Sequence, residues 1–212
     1  MSLDWKKWNR SDIIYGIIVP LAVVLAIVGL SLVNSSLRTG GGMSGSSGIV
    51  IGIISEIEEL VITVAVPLLL GLVWNRWAGG ASGFLMGSVW SMWYAVKYGL
   101  YTGSTGSFRS SGSINLGPTL LGWVLSAMLI GYMAGALNKR SENFRRMLIV
   151  GMVTTAVGGF FLLGMFQLSP SNVVPFDFSG FAINVATRIA AGAIIAVLAK
   201  VFMWYGVALH KT

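Results

Sequence analysis

The chain contains 212 residues, of which 55% are hydrophobic and only 10% are charged. Soluble domains carry about 25% charged residues, so this composition excludes an ordinary soluble domain and predicts an integral membrane protein. The net charge of +7 comes from basic residues at the ends of apolar segments, so it does not indicate nucleic-acid binding. The chain has no cysteine and its single histidine is His210, near the C-terminus, so we predict no metal site and no cofactor.

Apolar runs separated by polar segments predict an all-α fold, a single transmembrane domain with six membrane-spanning helices. The first run, from Ile13 to Val33, is long enough to span a bilayer, and we expect it to be retained rather than removed as a signal peptide. It contains Pro20, where we expect a kink. The predicted helices cover about 13–33, 49–74, 79–97, 118–137, 147–167 and 178–205, with Gly/Ser-rich outer loops at 34–48 and 98–117.

Basic residues are distributed unequally between the two sides of these helices. The two predicted outer loops hold Arg38 and Arg109, with Lys97 at their edge. The termini and the other polar connections hold a larger set, namely Lys6, Lys7, Arg10, Arg76, Lys139, Arg140, Arg145, Arg146 and Lys211. The positive-inside rule therefore predicts that both termini are cytoplasmic, in a multi-pass protein of the plasma membrane.

Glycines recur at spacings that favour close helix packing. Gly79, Gly83 and Gly87 follow one another every four residues in the third predicted helix, and Gly131 and Gly135 form a GxxxG pair in the fourth. Small residues at this spacing clear one stripe of a helix, so a neighbouring backbone is expected to approach closely.

An aromatic face follows the glycines of the third helix. Trp90, Trp93, Tyr94 and Lys97 are spaced at i, i+3, i+4 and i+7, so they share one side of the helix. One interpretation is part of a small-molecule pocket. The other is a girdle of interfacial aromatic residues that ends in a snorkelling lysine.

Acidic residues in the second predicted helix are unexpected within a membrane. Glu56 and Glu59 share a face with Thr63, whereas Glu58 points elsewhere. Charges at depth cost a few kcal/mol each and usually face protein or water, so a substrate or ion site is one hypothesis. The alternatives are a helix that starts later, or ion pairing with a cation of another segment, that is, Lys97, Arg188 or Lys200.

The sequence contains no enzyme motif together with the other residues that its chemistry requires, and we expect a protein without catalytic activity. Gly80-Ala81-Ser82-Gly83 matches the GxSG of intramembrane serine proteases, but the chain has no histidine within the membrane to activate Ser82. HExxH, P-loop and Rossmann motifs are also missing from the sequence. Any uphill transport would therefore depend on a partner or an ion gradient.

Three segments resemble the substrate-binding membrane subunit, or S component, of energy-coupling-factor transporters. Ala22-x-x-x-Ala26 is similar to the alanine motif by which that family docks its membrane coupling subunit. PLLLGLVWNRWAGGASGFLMG is similar to its glycine-spaced hairpin, although Trp74-Asn75-Arg76 stands where the family usually has a proline. GPTLLGWVLSAMLIGYMAGALNKR is similar to its fourth helix and basic loop.

The resemblance implies a six-helix subunit that captures a small vitamin-like molecule from outside and performs no chemistry. It would rely on a coupling subunit and two ATPases as partners, and would dock through Ala22 and Ala26. The implied pocket would be lined by residues of the third to sixth helices and the outer loops, namely Trp90, Trp93, Tyr94, Lys97, Asn115, Asn184 and Arg188. Glu56 and Glu59, if they also line it, favour a cationic ligand, whereas Lys97 and Arg188 favour an anion.

Two other functions fit the same sequence. The first is a non-catalytic accessory subunit of a larger membrane complex, in which the glycine stripes are subunit contacts and the acids pair internally. The second is an ion- or proton-coupled carrier that uses Glu56 and Glu59 as a relay.

Overall fold

A computed structural model describes residues 10–38, 56–99, 118–168 and 178–204 of the chain. Within these ranges the chain is helical and contains no strand, which confirms the predicted all-α fold. The described ranges form six helices in chain order: α1 (10–38), α2 (56–73), α3 (Arg76–Gly99), α4 (Pro118–Asn138), α5 (Phe144–Gln167) and α6 (Phe178–Trp204). Among the described residues, three helical stretches are long and apolar enough to cross a membrane: Leu120–Asn138, Phe144–Gln167 and Phe178–Trp204.

Helices α1 and α2 each contain a π-helical turn that ends two residues before a proline. In α1 the turn covers Ile14–Ile18, and in α2 it covers Val61–Ala65. A proline lacks an N–H group, and its ring collides with the carbonyl four residues earlier, so a turn widened by one residue accommodates it. The kink that we expect at Pro20 stays a prediction, while a π turn precedes Pro20 in α1 and another precedes Pro67 in α2.

Two helices begin earlier than the apolar runs of the sequence predict, because an asparagine side chain caps the N-terminus of each. Helix α3 begins at Arg76 rather than at residue 79, because the Asn75 side chain accepts a hydrogen bond from the Ala78 N–H at 2.8 Å. Helix α5 begins at Phe144 rather than at residue 147, with Asn143 accepting from the Arg145 N–H at 3.1 Å. Both are side-chain caps of a helix N-terminus.

Glycines bring the backbones of α2, α3 and α4 into direct contact, as their spacing predicts. A Cβ atom on Gly131 would collide with the carbonyl oxygen of Gly79, and one on Gly83 would collide with the carbonyl of Ala127. Gly71 of α2 meets the same stretch of α4, because its Cβ would collide with the Gly131 carbonyl. Helices α2, α3 and α4 therefore pack without side chains between them along this seam.

Polar side chains hold one end of the bundle together. We call this the turn end, since it holds the Trp74–Asn75 turn and residues 139–143. Buried Asn138 donates to the carbonyl of Leu72 at 2.9 Å, which ties α4 to α2. Four further hydrogen bonds run from basic side chains to backbone carbonyls: Arg140 Nε to Trp74, Arg146 Nε and Nη2 to Leu137, and Lys200 Nζ to Glu142.

The core consists of two apolar clusters at different heights. One lies among α2, α4, α5 and α6 and includes Leu68, Ile130 and Ala196. The other lies toward the opposite end, which we call the far end, where α3 ends and α6 begins. It contains Val24, Ile62, Met86, Trp90, Trp123 and Leu162. The far-end cluster therefore collects side chains from α1 to α5.

Candidate functional site

The charged and aromatic candidates lie in the half of the bundle that is nearer the far end. At 1.5 Å per helical residue, Glu59 lies roughly 20 Å from the end of α2 at the turn end. Arg188 and Trp90 lie at similar estimated distances along α6 and α3 from the turn end, roughly 20–24 Å. The three side chains are therefore at comparable depth, well inside the helical bundle.

Arg188 of α6 forms an ion pair with Glu59 of α2. The distance from Arg188 Nη2 to Glu59 Oε1 is 2.5 Å, and the exposed fractions of the two side chains are 3% and 22%. The guanidinium also donates from Nε to the Asn184 side-chain oxygen at 3.2 Å, as the i, i+4 spacing of these two residues suggests. Of the cations that the sequence offered as partners for the acids, the structure pairs Arg188 with Glu59.

Glycine on the neighbouring helix makes room for the arginine. A Cβ atom on Gly159 of α5 would lie 2.9 Å from Cδ of Arg188, so the aliphatic stem packs directly on the α5 backbone. Helices α5 and α6 approach closely there because Gly151 and Gly192 also meet. Within α2, the Thr63 hydroxyl donates to the backbone carbonyl of Glu59 at 2.9 Å, and the Glu59 side chain reaches Arg188 of α6. The pair is thus positioned by three helices.

Among the remaining charged and polar candidates, Glu56 acts on both members of the pair through its charge. Glu56 is exposed on α2 and Glu58 is half-buried. Lys200 lies at the turn end, where it donates to the backbone of Glu142 at 2.8 Å. The side chain of Lys97 and the whole of Asn115 lie outside the part of the chain that the structure describes.

The aromatic face of α3 packs on α4 and α5. Trp90 is 3% exposed, with its ring 6.5 Å from that of Trp123 in an edge-to-face arrangement. Tyr94 lies 6.2 Å from Trp123, which in turn lies 5.5 Å from Phe166. Trp90 is therefore a core residue rather than part of an interfacial girdle, while Trp93 is half-buried beside the same cluster and Tyr94 is exposed.

The ion pair and the aromatic cluster are neighbours. Helix α2 carries Glu59 and, three residues on, Ile62, which packs in the far-end cluster. Helix α5 carries Gly159 against Arg188 and, three residues on, Leu162 in the same cluster. Residues three apart on a helix share a face, so along α2 and α5 the residues of the two groups are about one helical turn apart, a rise of roughly 5 Å.

Three buried N–H donors of this region lack a hydrogen-bond partner. Among the described residues, the buried side-chain atoms without a partner are Trp90 Nε1, Trp93 Nε1, Arg188 Nη1 and, at the turn end, Asn138 Oδ1. Buried polar groups in native proteins are nearly always satisfied by protein, water or ligand. These three donors therefore have no hydrogen-bond acceptor within the structure.

Two further sequence expectations concern α1 and Ser82. Ala22 and Ala26 are exposed on α1, and nothing lies within 4 Å of a Cβ atom built on Gly29 of the same helix. Buried Ser82 donates to the backbone carbonyl of Gly79 at 2.8 Å, where the α3 glycines meet α4.

Within the described residues, no group of three His, Cys, Asp or Glu side chains is arranged to hold a metal ion.

Sequence reasoning missed Trp123 and Phe166, which complete the aromatic cluster. Neither belongs to a periodic aromatic face, so a pattern search had no signal to find them.

No protein-family model matches this chain, and comparisons with curated proteins and with solved structures also find no match. Function is therefore inferred from the chemistry of these side chains alone.

Proposed function

We propose that this chain is a membrane-embedded solute-binding subunit of an importer. It captures a small vitamin-like molecule from outside the cell and depends on partner ATPase subunits for energy. The observation that carries this proposal is Arg188, which is buried among helices, held by Glu59 and Asn184, and still has an unpartnered Nη1. Charged residues inside membranes are costly and usually mark functional sites.

The charge distribution supports an outward-facing site. The turn end holds exposed Arg76, Lys139, Arg140, Arg145 and Arg146, and positive loops favour the cytoplasmic side. With all six helices spanning a plasma membrane and both termini cytoplasmic, Arg188 and Trp90 lie in the outer half. Ligand would then reach them from outside, and binding would involve no chemical step.

The exposed small residues of α1 support docking of a partner membrane protein. Ala22 and Ala26 leave α1 with a narrow face that a partner helix can approach closely. In the S components that the sequence resembles, an alanine motif in this helix docks the coupling subunit. The same role is proposed for Ala22 and Ala26.

The proposal is tested by native purification in mild detergent, with mass spectrometry of partner proteins and of bound small molecules. We expect two ATPases and a membrane coupling protein with the natural chain. A bulky Ala22→Trp substitution should reduce their recovery by about tenfold or more, because an overpacked helix contact costs about 1–3 kcal/mol. The matched control is Ile194→Trp, at an exposed position of α6, which should keep the partners.

A second candidate is a non-catalytic accessory subunit of a larger membrane complex. Internal pairing of Glu59 with Arg188 favours it, since a structural ion pair needs no ligand. Recovery of redox or other large-complex subunits in the same experiment, without a bound small molecule, would overturn the importer and establish this candidate.

A further inference from the structure

Two arginines meet at the turn end, where α3 begins and α4 ends. A Cβ atom on Gly135 of α4 would collide with the backbone nitrogen of Arg76, so the first residue of α3 rests directly on α4. Arg140 Nε, just beyond α4, donates to the Trp74 carbonyl at 3.1 Å. Trp74 and Arg76 are two residues apart, so their Cα atoms are separated by roughly 7 Å at most. Arg76 and Arg140 therefore lie on one short turn.

Both guanidinium groups keep N–H edges that an acceptor can reach. The two side chains are exposed, and the one ion pair within the described residues is that of Arg188 with Glu59. Arg140 donates through Nε, so its two Nη groups have no acceptor among the described residues. Arg76 Cζ lies 5.5 Å from the ring centroid of Trp77, a contact that uses the face of the guanidinium and not its edge. Such edges bind phosphate through paired hydrogen bonds.

The other charges around this turn do not cancel the two arginines. Lys139, Arg145 and Arg146 are also exposed, and Glu142 is the acidic side chain that the structure describes among them. The excess of positive charge favours a ligand with a net negative charge over a zwitterion, which would bring a cation of its own.

An exposed aromatic and apolar stripe continues from the arginines along the α3–α4 seam. Trp77 is 48% exposed, and its ring lies edge-on at 5.9 Å from that of Tyr132, which is 38% exposed. A Cβ atom on Gly80 of α3 would contact Tyr132, so both helices contribute to one surface. Phe84, on the same face of α3 as Gly80, and Met128, one turn from Tyr132 on α4, are also exposed. Tryptophan and tyrosine favour the headgroup level of a bilayer, and apolar side chains favour its acyl chains.

The position of this surface in a bilayer follows from its neighbours. The stretches Leu120–Asn138 and Phe144–Gln167 are each long and apolar enough to cross a membrane, and residues 139–143 join them. With both helices crossing, the connection and the arginines beside it lie at one membrane surface. The order of cationic, aromatic and apolar side chains then matches the order of phosphate, glycerol and acyl chain in a phospholipid.

We propose that the turn end of the α3–α4 seam binds one phospholipid with a net negative headgroup. Its phosphate takes hydrogen bonds from Arg76 and Arg140, its glycerol region lies on Trp77 and Tyr132, and an acyl chain follows the exposed apolar side chains beyond them. This lipid is distinct from the imported solute, whose site lies in the far half. The inference goes beyond the importer, since an accessory subunit would bind the lipid equally well.

Competition between two lipids tests the headgroup. The delipidated full chain in mild detergent is titrated with an equimolar mixture of phosphatidylglycerol and phosphatidylcholine that have the same acyl chains. Native mass spectrometry then identifies the first lipid that remains bound. We expect phosphatidylglycerol to be preferred by about 10–25-fold, that is, about three- to fivefold for each arginine.

Charge-removing substitutions locate the headgroup. Arg76→Gln and Arg140→Gln should each lower the preference for phosphatidylglycerol by about three- to fivefold. Arg145→Gln removes the same charge from the first turn of α5, outside the seam, and should leave the preference unchanged. Arg140 also donates to the backbone of the turn, whereas Arg76 is exposed and contacts the Trp77 ring. Arg76→Gln therefore tests the site even if Arg140→Gln disturbs the turn.

A tryptophan substitution tests the aromatic part of the surface. Trp77→Leu should weaken phosphatidylglycerol binding by about two- to fivefold, because it removes the ring on which the Arg76 guanidinium rests. The matched control is Trp204→Leu, at a tryptophan that is 86% exposed where α6 ends, and it should leave binding unchanged. Equal losses from the two variants would remove Trp77 from the site.

Each other outcome has a defined meaning. Equal binding of the two lipids overturns the ligand class. A preference that Arg145→Gln lowers as much as Arg76→Gln and Arg140→Gln overturns the site, because the net charge of the whole turn end would then be responsible. A preference that all three variants retain overturns it as well. The importer is judged separately, by recovery of the ATPases in the native purification.

Discussion

The two ends of this bundle differ in the polar atoms that they leave without a partner, which are a carbonyl oxygen, Asn138 Oδ1, at the turn end and three N–H donors in the far half. At the turn end, Asn138, Arg140 and Arg146 donate to backbone carbonyls that the helix ends leave open, and Lys200 donates to the Glu142 carbonyl in the connection before α5. In the far half, Arg188 and two tryptophans keep donors without partners. Helix ends always leave carbonyls to be satisfied, so the turn-end contacts follow from architecture. The far-half donors have no such origin.

This difference suggests that the turn end is a structural scaffold and that the far half contains the solute-binding site. Proteins violate local rules of polar satisfaction mainly where function requires it. The turn end and the glycine seam of α2, α3 and α4 form a closely packed base. The far half of the same bundle contains the N–H donors without a hydrogen-bond partner. Substitutions in the packed interior of the base should therefore change stability alone, whereas changes in the far half should also change solute binding.

The largest expected effect is that of Arg188→Met, which leaves half-buried Glu59 without its partner. We expect the free energy of unfolding, measured by denaturant titration in mixed micelles, to fall by about 3–5 kcal/mol. Replacing both partners, with Glu59→Leu added to Arg188→Met, should recover most of that loss because no charge is left unpaired. The recovered protein should still lack the donor and bind ligand poorly. A single variant as stable as the natural chain would contradict the importance of the pair.

A smaller loss is expected from Gly131→Ala in the glycine seam. Its Cβ would collide with the Gly79 carbonyl, and neither backbone can move without shifting a helix, so we expect a loss of about 1–3 kcal/mol. Gly164→Ala in α5 is the matched control, since nothing lies within 4 Å of its Cβ. That control should be neutral or stabilise by up to about 1 kcal/mol through helix propensity. Equal effects of the two variants would show that α3 and α4 do not touch as described.

The smallest effect is expected at the cap of α3. Asn75→Ala removes the side-chain acceptor for the Ala78 N–H and should cost about 1 kcal/mol. Asn75→Ser retains a capping oxygen and should lose only a few tenths of that amount. Thermal unfolding in detergent resolves the two variants. If ligand binding also falls in Asn75→Ala, the separation between base and site is wrong.

Local patterns in the sequence predicted much of the fold. The four-residue spacing of Gly79, Gly83 and Gly87 predicted a close backbone contact, which the structure confirms against α4. The i, i+4 spacing predicted that Asn184 and Arg188 share a face, and their hydrogen bond confirms it. The late starts assigned to α3 and α5 were avoidable, because Asn75 and Asn143 are typical N-cap residues that a hydropathy pattern ignores.

Contacts between distant segments were not predictable from one sequence. Three cations were possible partners for the acids of α2, and the choice of Arg188 depends on α6 lying beside α2. Trp123 has no aromatic residue at helical spacing within α4, so its place between Trp90 and Phe166 depends on how α3, α4 and α5 pack. Helix neighbours are decided by tertiary packing, which hydropathy and spacing do not encode.

The meeting of Gly79 with Gly131 also limits how this chain can evolve. Where Gly158 faces the side chain of Ile130, a larger residue at one position can be offset by a smaller one at the other. Gly79 and Gly131 are both already the smallest residue, so a mutation at either has no second-site rescue across the seam. Related chains that keep this contact should retain both glycines together, and a relative that lost one should show a wider separation of α3 from α4.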